Sequence, residues 1–239
     1  MMQVSSNVGA GHGSAPKKIR RSRITLPDYT FGEELLNMIT HAVGAILGIV
    51  VLALCVSRAL VNANVTGAVA SAIYGASMII VYTTSAVYHG LPRSSAKKVF
   101  RVLDHCVIYL LIAGTYTPIT LSAMLSSSYA RSGLTIFFAQ WGLAALAITL
   151  TAIDMKKFSA FSMTCYILMG WMAFFSLNSV VGAMSARGFL YILGGGIFYT
   201  IGAVLYGLGK KARYMHGIFH VFTLIGSFAQ FLGVYIYCL

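Results

Sequence analysis

The sequence predicts an all-α membrane protein: a seven-transmembrane helix bundle with its N-terminus in the cytosol and its C-terminus outside. Three observations carry that prediction. Hydrophobic residues make up 58% of the 239 and charged residues only 9%, where a soluble domain carries about 25% charged residues. The apolar residues gather into seven runs, each near the ~20 residues that cross ~30 Å of hydrocarbon at about 1.5 Å per residue. The basic residues between the runs are distributed very unequally.

Residues 1–30 form the first segment, polar, rich in Gly and Ser, and closed by the basic residues Lys17, Lys18, Arg20, Arg21 and Arg23. Too little apolar surface is present for it to fold alone, so it reads as a disordered cytosolic tail whose charges rest on anionic lipid headgroups. It does not read as a cleaved signal peptide, because the apolar run behind it is a full span. The membrane domain then occupies 31–239, with spans expected at 38–60, 65–89, 99–124, 132–153, 158–181, 187–208 and 214–238. Backbone polar groups in lipid must be satisfied within the segment, so each span is a helix. Gly44 and Gly48 make a GxxxG close-approach surface in the first. Pro118 should kink the third, and Gly194, Gly195 and Gly196 loosen the sixth.

Orientation follows from charge. Five basic residues in the tail, Arg93, Lys97, Lys98 and Arg101 after the second span, Lys156 and Lys157, and Lys210, Lys211 and Arg213 all fall on one side. Only Arg58, Arg131 and Arg187 fall on the other. The rich side is cytosolic. This pattern also explains the net charge of +12 without a nucleic-acid partner. The four cysteines, Cys55, Cys106, Cys165 and Cys238, lie apart in or beside apolar runs and read as packing residues, not as a disulfide framework.

Titratable groups inside spans are costly and mark function. Five of the six histidines lie in spans, His41, His89, His105, His216 and His220, while His12 is in the tail. Helix direction alone brings the five to one depth. His41 opens the first helix, His89 closes the second, Asp104 and His105 open the third, and His216 opens the seventh. His216 and His220 stand at i, i+4 on one face, a spacing that suits two imidazoles on one metal ion. Ser85 lies one turn deeper than His89 on the same face. A third imidazole and a water would complete a tetrahedral site, with Asp104 holding the water or acting as general base. Alternatively, Asp104 pairs with Arg101, and Ser85 bonds its own helix. His105 is about 100° around the helix from Asp104, so the two cannot point into one site. His41 and His105 are expected to be hydrogen-bonded bundle residues, not ligands.

The stretches EELLNMITHAVG at 33–44, SAVYH at 85–89, RVLDHCVIYLLIAGTYTP at 101–118, FYTIGAVLYGL at 198–208 and HGIFHVF at 216–222 resemble the hemolysin III family, the bacterial branch of the progestin and adipoQ receptors. The resemblance covers nearly all of the seven-helix region. It implies a Zn2+ ion held by His89, His216 and His220, with Asp104 and Ser85 as water-holding groups beside it. Glu34, Asn37 and His41 match a further family motif and are expected to tie the first helix to the site. The resemblance also implies a multi-pass protein of the bacterial cytoplasmic membrane, with membrane lipids as its partners. The leading expectation is a zinc-dependent hydrolase of a membrane-lipid amide or ester, with Asp104 and Ser85 catalytic. A regulator of membrane state with structural zinc is the alternative. A cytolytic pore ranks third, because no helix carries the polar stripe of a pore lining.

Overall fold

A computed structural model of the chain describes residues 24–208 and 212–239. His12 and the basic residues of the tail lie outside the described residues, as do Lys210 and Lys211. The described residues form helices α1 (Phe31–Val61), α2 (Val65–Gly90), α3 (Ser95–Pro118, continued by a π-helical turn Ile119–Met124), α4 (Ala130–Asp154), α5 (Ser159–Gly170), α6 (Met172–Phe175), α7 (Leu177–Leu208) and α8 (Met215–Tyr237). Among the described residues no strand occurs. Six of these described helices are long and apolar enough to cross a membrane: α1, α2, α3 with its π-helical turn, α4, α7 and α8. The chain is therefore an all-α, multi-pass membrane protein. Large apolar side chains such as Ile46 and Phe138 point outward, 64% and 68% exposed. Water would penalise that surface and lipid does not.

Local chemistry fixes the helix starts that matter for function. Thr30 and Glu33 form a capping box at the start of α1: the Thr30 hydroxyl accepts from the Glu33 amide, and the Glu33 carboxylate accepts from the Thr30 amide at 2.8 Å. The other oxygen of Glu33 accepts the Tyr214 amide at 2.9 Å, which docks the start of α8 on the start of α1. Asn64 caps α2 and Ser94 caps α3. Inside the bundle, Thr115, Thr117 and Thr120 return their hydroxyls to carbonyls of their own helix. Pro118 ends regular α-helical geometry, and the chain runs on as the π-helical turn.

The expected single helix over 158–181 is instead broken into α5, α6 and the start of α7, with Trp171 and Ser176 non-helical between them. Broken backbone at this depth needs partners from neighbouring helices, and α3 and α4 supply them. The Tyr116 hydroxyl donates to the Gly170 carbonyl at 3.1 Å and accepts the Ala173 amide at 2.7 Å. Gln140 donates to the Met169 carbonyl at 2.9 Å. The expected boundary between the fifth and sixth spans falls inside α7, at Ser185, whose φ of 70° and ψ of 161° interrupt the helix.

That conformation is essentially reserved for glycine. Ser185→Gly is therefore expected to stabilise the protein by about 1 kcal/mol, read as a higher unfolding midpoint in detergent micelles. An unchanged or lower midpoint would show that Ser185 carries no strain.

Candidate metal centre

Helices α1, α3 and α8 begin at the end of the bundle where α2 finishes, so four chain segments deliver polar residues to one level. From α2 comes His89, and from the first two turns of α8 come His216 and His220. His89 and His220 are buried, with 2% and 1% of their surfaces exposed. The Nε2 atoms face one another: His216 is 3.3 Å from His89 and 3.0 Å from His220. Among the described residues these three side chains form one group able to hold a metal ion.

The far sides of the rings decide what those nitrogens are. Nδ1 of His89 lies 2.6 Å from the Glu34 carboxylate, which only accepts, so Nδ1 carries a proton, and in the neutral ring Nε2 presents a lone pair. Nδ1 of His220 lies 3.3 Å from the Asn37 carbonyl and 3.2 Å from the Thr40 hydroxyl, so the same logic leaves its Nε2 unprotonated. One imidazole N–H on His216 could serve only one of these two lone pairs at a time. A cation serves all three. Two nitrogens bound about 2.0–2.1 Å from a tetrahedral zinc stand about 3.3–3.4 Å apart, close to the two separations that involve His216, and all three ligand atoms lie within 4.8 Å of one another. A carboxylate or carbonyl behind a ligating imidazole is the usual orienting device at such centres; His89 and His220 have one, while Nδ1 of His216 is buried without a hydrogen-bond partner among the described residues. The residues present therefore fit a zinc ion.

Aromatic rings enclose the cluster. Tyr29 stacks on His216 with ring centres 5.4 Å apart, Tyr88 sits 4.5 Å from His89, and Tyr206 meets His216 edge-on at 5.0 Å. Tyr29 belongs to the non-helical segment before α1, which Arg93 ties down through Asp28 at 2.7 Å and the Pro27 carbonyl at 3.2 Å. Burial pushes the Tyr29 phenol well above its ordinary pKa, so it stays a neutral donor.

The other residues singled out in the sequence are less uniform. Ser85 lies one turn from His89 and is 1% exposed, its hydroxyl without a hydrogen-bond partner among the described residues. Asp104 does not join the ligand cluster; its carboxylate is 3.9 Å from Nδ1 of His105, and among the described residues it forms no ion pair with Arg101. His105 bonds the Arg101 carbonyl at 2.8 Å, as a bundle residue should. His41 departs from the hydrogen-bonded role expected of it. It lies flat on His220, ring centres 3.5 Å apart at 11°, and neither of its buried nitrogens has a partner among the described residues. The motif Glu34, Asn37 and His41 does tie α1 to the cluster, each residue through a histidine. Sequence reasoning missed Tyr29, Tyr206 and Lys97, the last of which reaches Glu34 at 2.8 Å. The short connection from His89 to Ser95 was the available signal for Lys97, because it folds the first turn of α3 back onto the end of α2.

Comparison with known proteins gives the family of the chain. A family model described as haemolysin-III related matches residues 29–231. Hemolysin-3 of Bacillus cereus is 36% identical over 207 residues, covering 87% of this chain and 92% of the relative. A hemolysin-3 homolog of Bacillus subtilis (strain 168) is 33% identical over 210 residues, covering 88% and 96%. The chain is a member of the haemolysin-III-related family.

Proposed function

We propose that this protein is a zinc-dependent hydrolase acting on an amide or ester of a membrane lipid at the cytosolic face of a bacterial cytoplasmic membrane. The observation that carries the reading is the convergence of three imidazole Nε2 atoms, two of them on buried rings whose Nδ1 atoms meet acceptors. His89, His216 and His220 would hold the ion. Bound zinc would supply a water whose pKa is near 7 and so a nucleophile at neutral pH. Asp104 would accept the proton from that water, and the unpartnered Ser85 hydroxyl would donate to the developing oxyanion. Tyr29 and Tyr206 would exclude bulk water from above.

The topology proposed with this function has seven crossings. Segment 159–184, continuous in space though broken at Trp171 and Ser176, would be the fifth, and α7 beyond Ser185 the sixth. The basic-residue asymmetry then places the N-terminus and the histidines in the cytosol and the C-terminus outside. Lipid chains would lie between helices, and the basic tail would rest on anionic headgroups.

A second reading keeps the zinc as a structural clamp in a regulator of membrane state. It is favoured by the absence of Asp104 from the group of three histidines and by the number of helices the histidines join. The name hemolysin-3 belongs to the relatives; a lytic pore fits this chain least, because its buried titratable groups gather at one end.

Asp104→Ala separates the readings. Catalysis predicts a fall in lipid-amide or ester turnover of roughly 10²–10⁴-fold with zinc content unchanged, measured on purified protein in mixed micelles. A clamp predicts no turnover by the wild type and no effect of the substitution on stability. Wild-type protein that binds zinc yet cleaves no lipid amide or ester ends the hydrolase reading.

A further inference from the structure

Lys97 is 3% exposed, whereas its neighbour Lys98 faces outward. Either could serve the charge asymmetry that orients the chain, so orientation does not explain why one of them is buried. Burying a lysine is costly unless every proton finds a partner. Here each does: Nζ is 2.8 Å from Oε1 of Glu34, 2.9 Å from the Leu91 carbonyl and 3.3 Å from the His89 carbonyl. The last two are carbonyls at the end of α2, where an uncapped helix terminus attracts a cation.

These contacts close a loop. The His89 backbone carbonyl accepts from Lys97; Lys97 pairs with Oε1 of Glu34; Oε2 of Glu34 accepts from Nδ1 of the same His89 at 2.6 Å. The backbone and ring of one residue are thereby linked through two other side chains on two other helices. With Oε1 held by the ammonium, the carboxylate can turn only a little, and the plane of the imidazole is set with it. Without Lys97, Glu34 keeps one oxygen free to swing and a charge with no opposite partner.

We propose that Lys97 is a positioning residue of the metal centre, acting through Glu34 to aim Nε2 of His89. The inference rests on the zinc reading above and adds a residue to it. The test is a double-mutant cycle on zinc affinity in the full chain, by chelator competition in micelles. Lys97→Gln is expected to weaken zinc binding 10–100-fold, the range for orienting partners of metal ligands, and Lys98→Gln to leave it unchanged. In a Glu34→Gln background, Lys97→Gln should cost almost nothing more, because the path to His89 is already cut. Cobalt(II) substituted for zinc should show a shifted visible spectrum in Lys97→Gln, a signature of altered ligand geometry that mere destabilisation does not produce. Lys97→Arg, which keeps the charge, should recover part of the affinity and serves where the Gln variant does not accumulate. Wild-type affinity in Lys97→Gln, or losses that add in the cycle, overturn the proposal while leaving the zinc centre intact. Wild-type chain that takes up neither zinc nor cobalt overturns the centre itself, and Lys97's role with it.

Discussion

His220→Ala is expected to abolish stoichiometric zinc and to erase the response of the protein to chelators. Structural zinc sites bind with roughly 10–16 kcal/mol over four ligands, so one lost ligand is worth about 3 kcal/mol, or on the order of 100-fold in affinity. His220 should exceed that share, because its ring organises its surroundings. Its Nδ1 meets Asn37 and Thr40 on α1, and its face carries His41. Truncation therefore removes a ligand and leaves two α1 groups and one imidazole facing a void. The apo-protein itself should lose about 1–3 kcal/mol from the unmade hydrogen bonds. Because an ion that binds only the folded state stabilises it by about 2.7 kcal/mol at 100 times its dissociation constant, wild type should unfold at lower temperature after chelation. His220→Ala should unfold at one temperature with or without chelator. His105→Ala is the control, since the His105 ring bonds the Arg101 carbonyl of its own helix, lies outside the group of three histidines and should keep zinc. Metal content after gel filtration and thermal scans in micelles decide the matter. Equal zinc in His220→Ala and wild type would remove the histidine cluster as the site.

Much of this centre was legible in the sequence because depth in a membrane is a one-dimensional problem. Span boundaries and alternating direction put His89 level with His216 without any packing model, and the i, i+4 spacing put His220 on the same face. Rotation about each helix axis is the missing coordinate. It decides that Asp104, at the right depth, stays out of the ligand cluster, and that His41 stacks on His220 in place of a hydrogen bond. Lys97 was hidden for a different reason: a lysine near a helix end reads as a topogenic charge, and only tertiary structure shows it turned inward to Glu34. The fifth span was misread as one helix because hydropathy registers side chains and not backbone partners. Tyr116 and Gln140, which satisfy the break, lie on other helices and leave no mark between 158 and 181.

Gly75→Ala is expected to destabilise the bundle by about 1–3 kcal/mol, the usual cost of overpacking, while Gly142→Ala is expected to be near neutral. A methyl group at Gly75 would stand 2.6 Å from both Cα and Cβ of Leu52, and backbone cannot step aside as a side-chain tip can. The two helices are pinned nearby as well: a Cβ at Gly48 would sit 3.0 Å from the Ile79 amide nitrogen, and one at Gly44 would meet the Tyr82 ring at 2.6 Å. α1 cannot tilt away at one glycine without opening the others. At Gly142 nothing among the described residues, apart from its chain neighbours and its own helix backbone, lies within 4 Å of the added methyl. In water, replacing a helical glycine with alanine would gain about 1 kcal/mol from backbone propensity. In lipid, the helices already exist before they associate, so that gain is largely absent and contact geometry decides the sign. Gly75→Leu should go further and lower zinc affinity, because α1 and α2 carry Glu34 and His89 and must approach closely for the carboxylate to reach Nδ1. Unfolding midpoints in micelles for the two alanine variants give the comparison. If Gly75→Ala and Gly142→Ala shift it equally, the close seam between α1 and α2 does not carry the stability assigned to it.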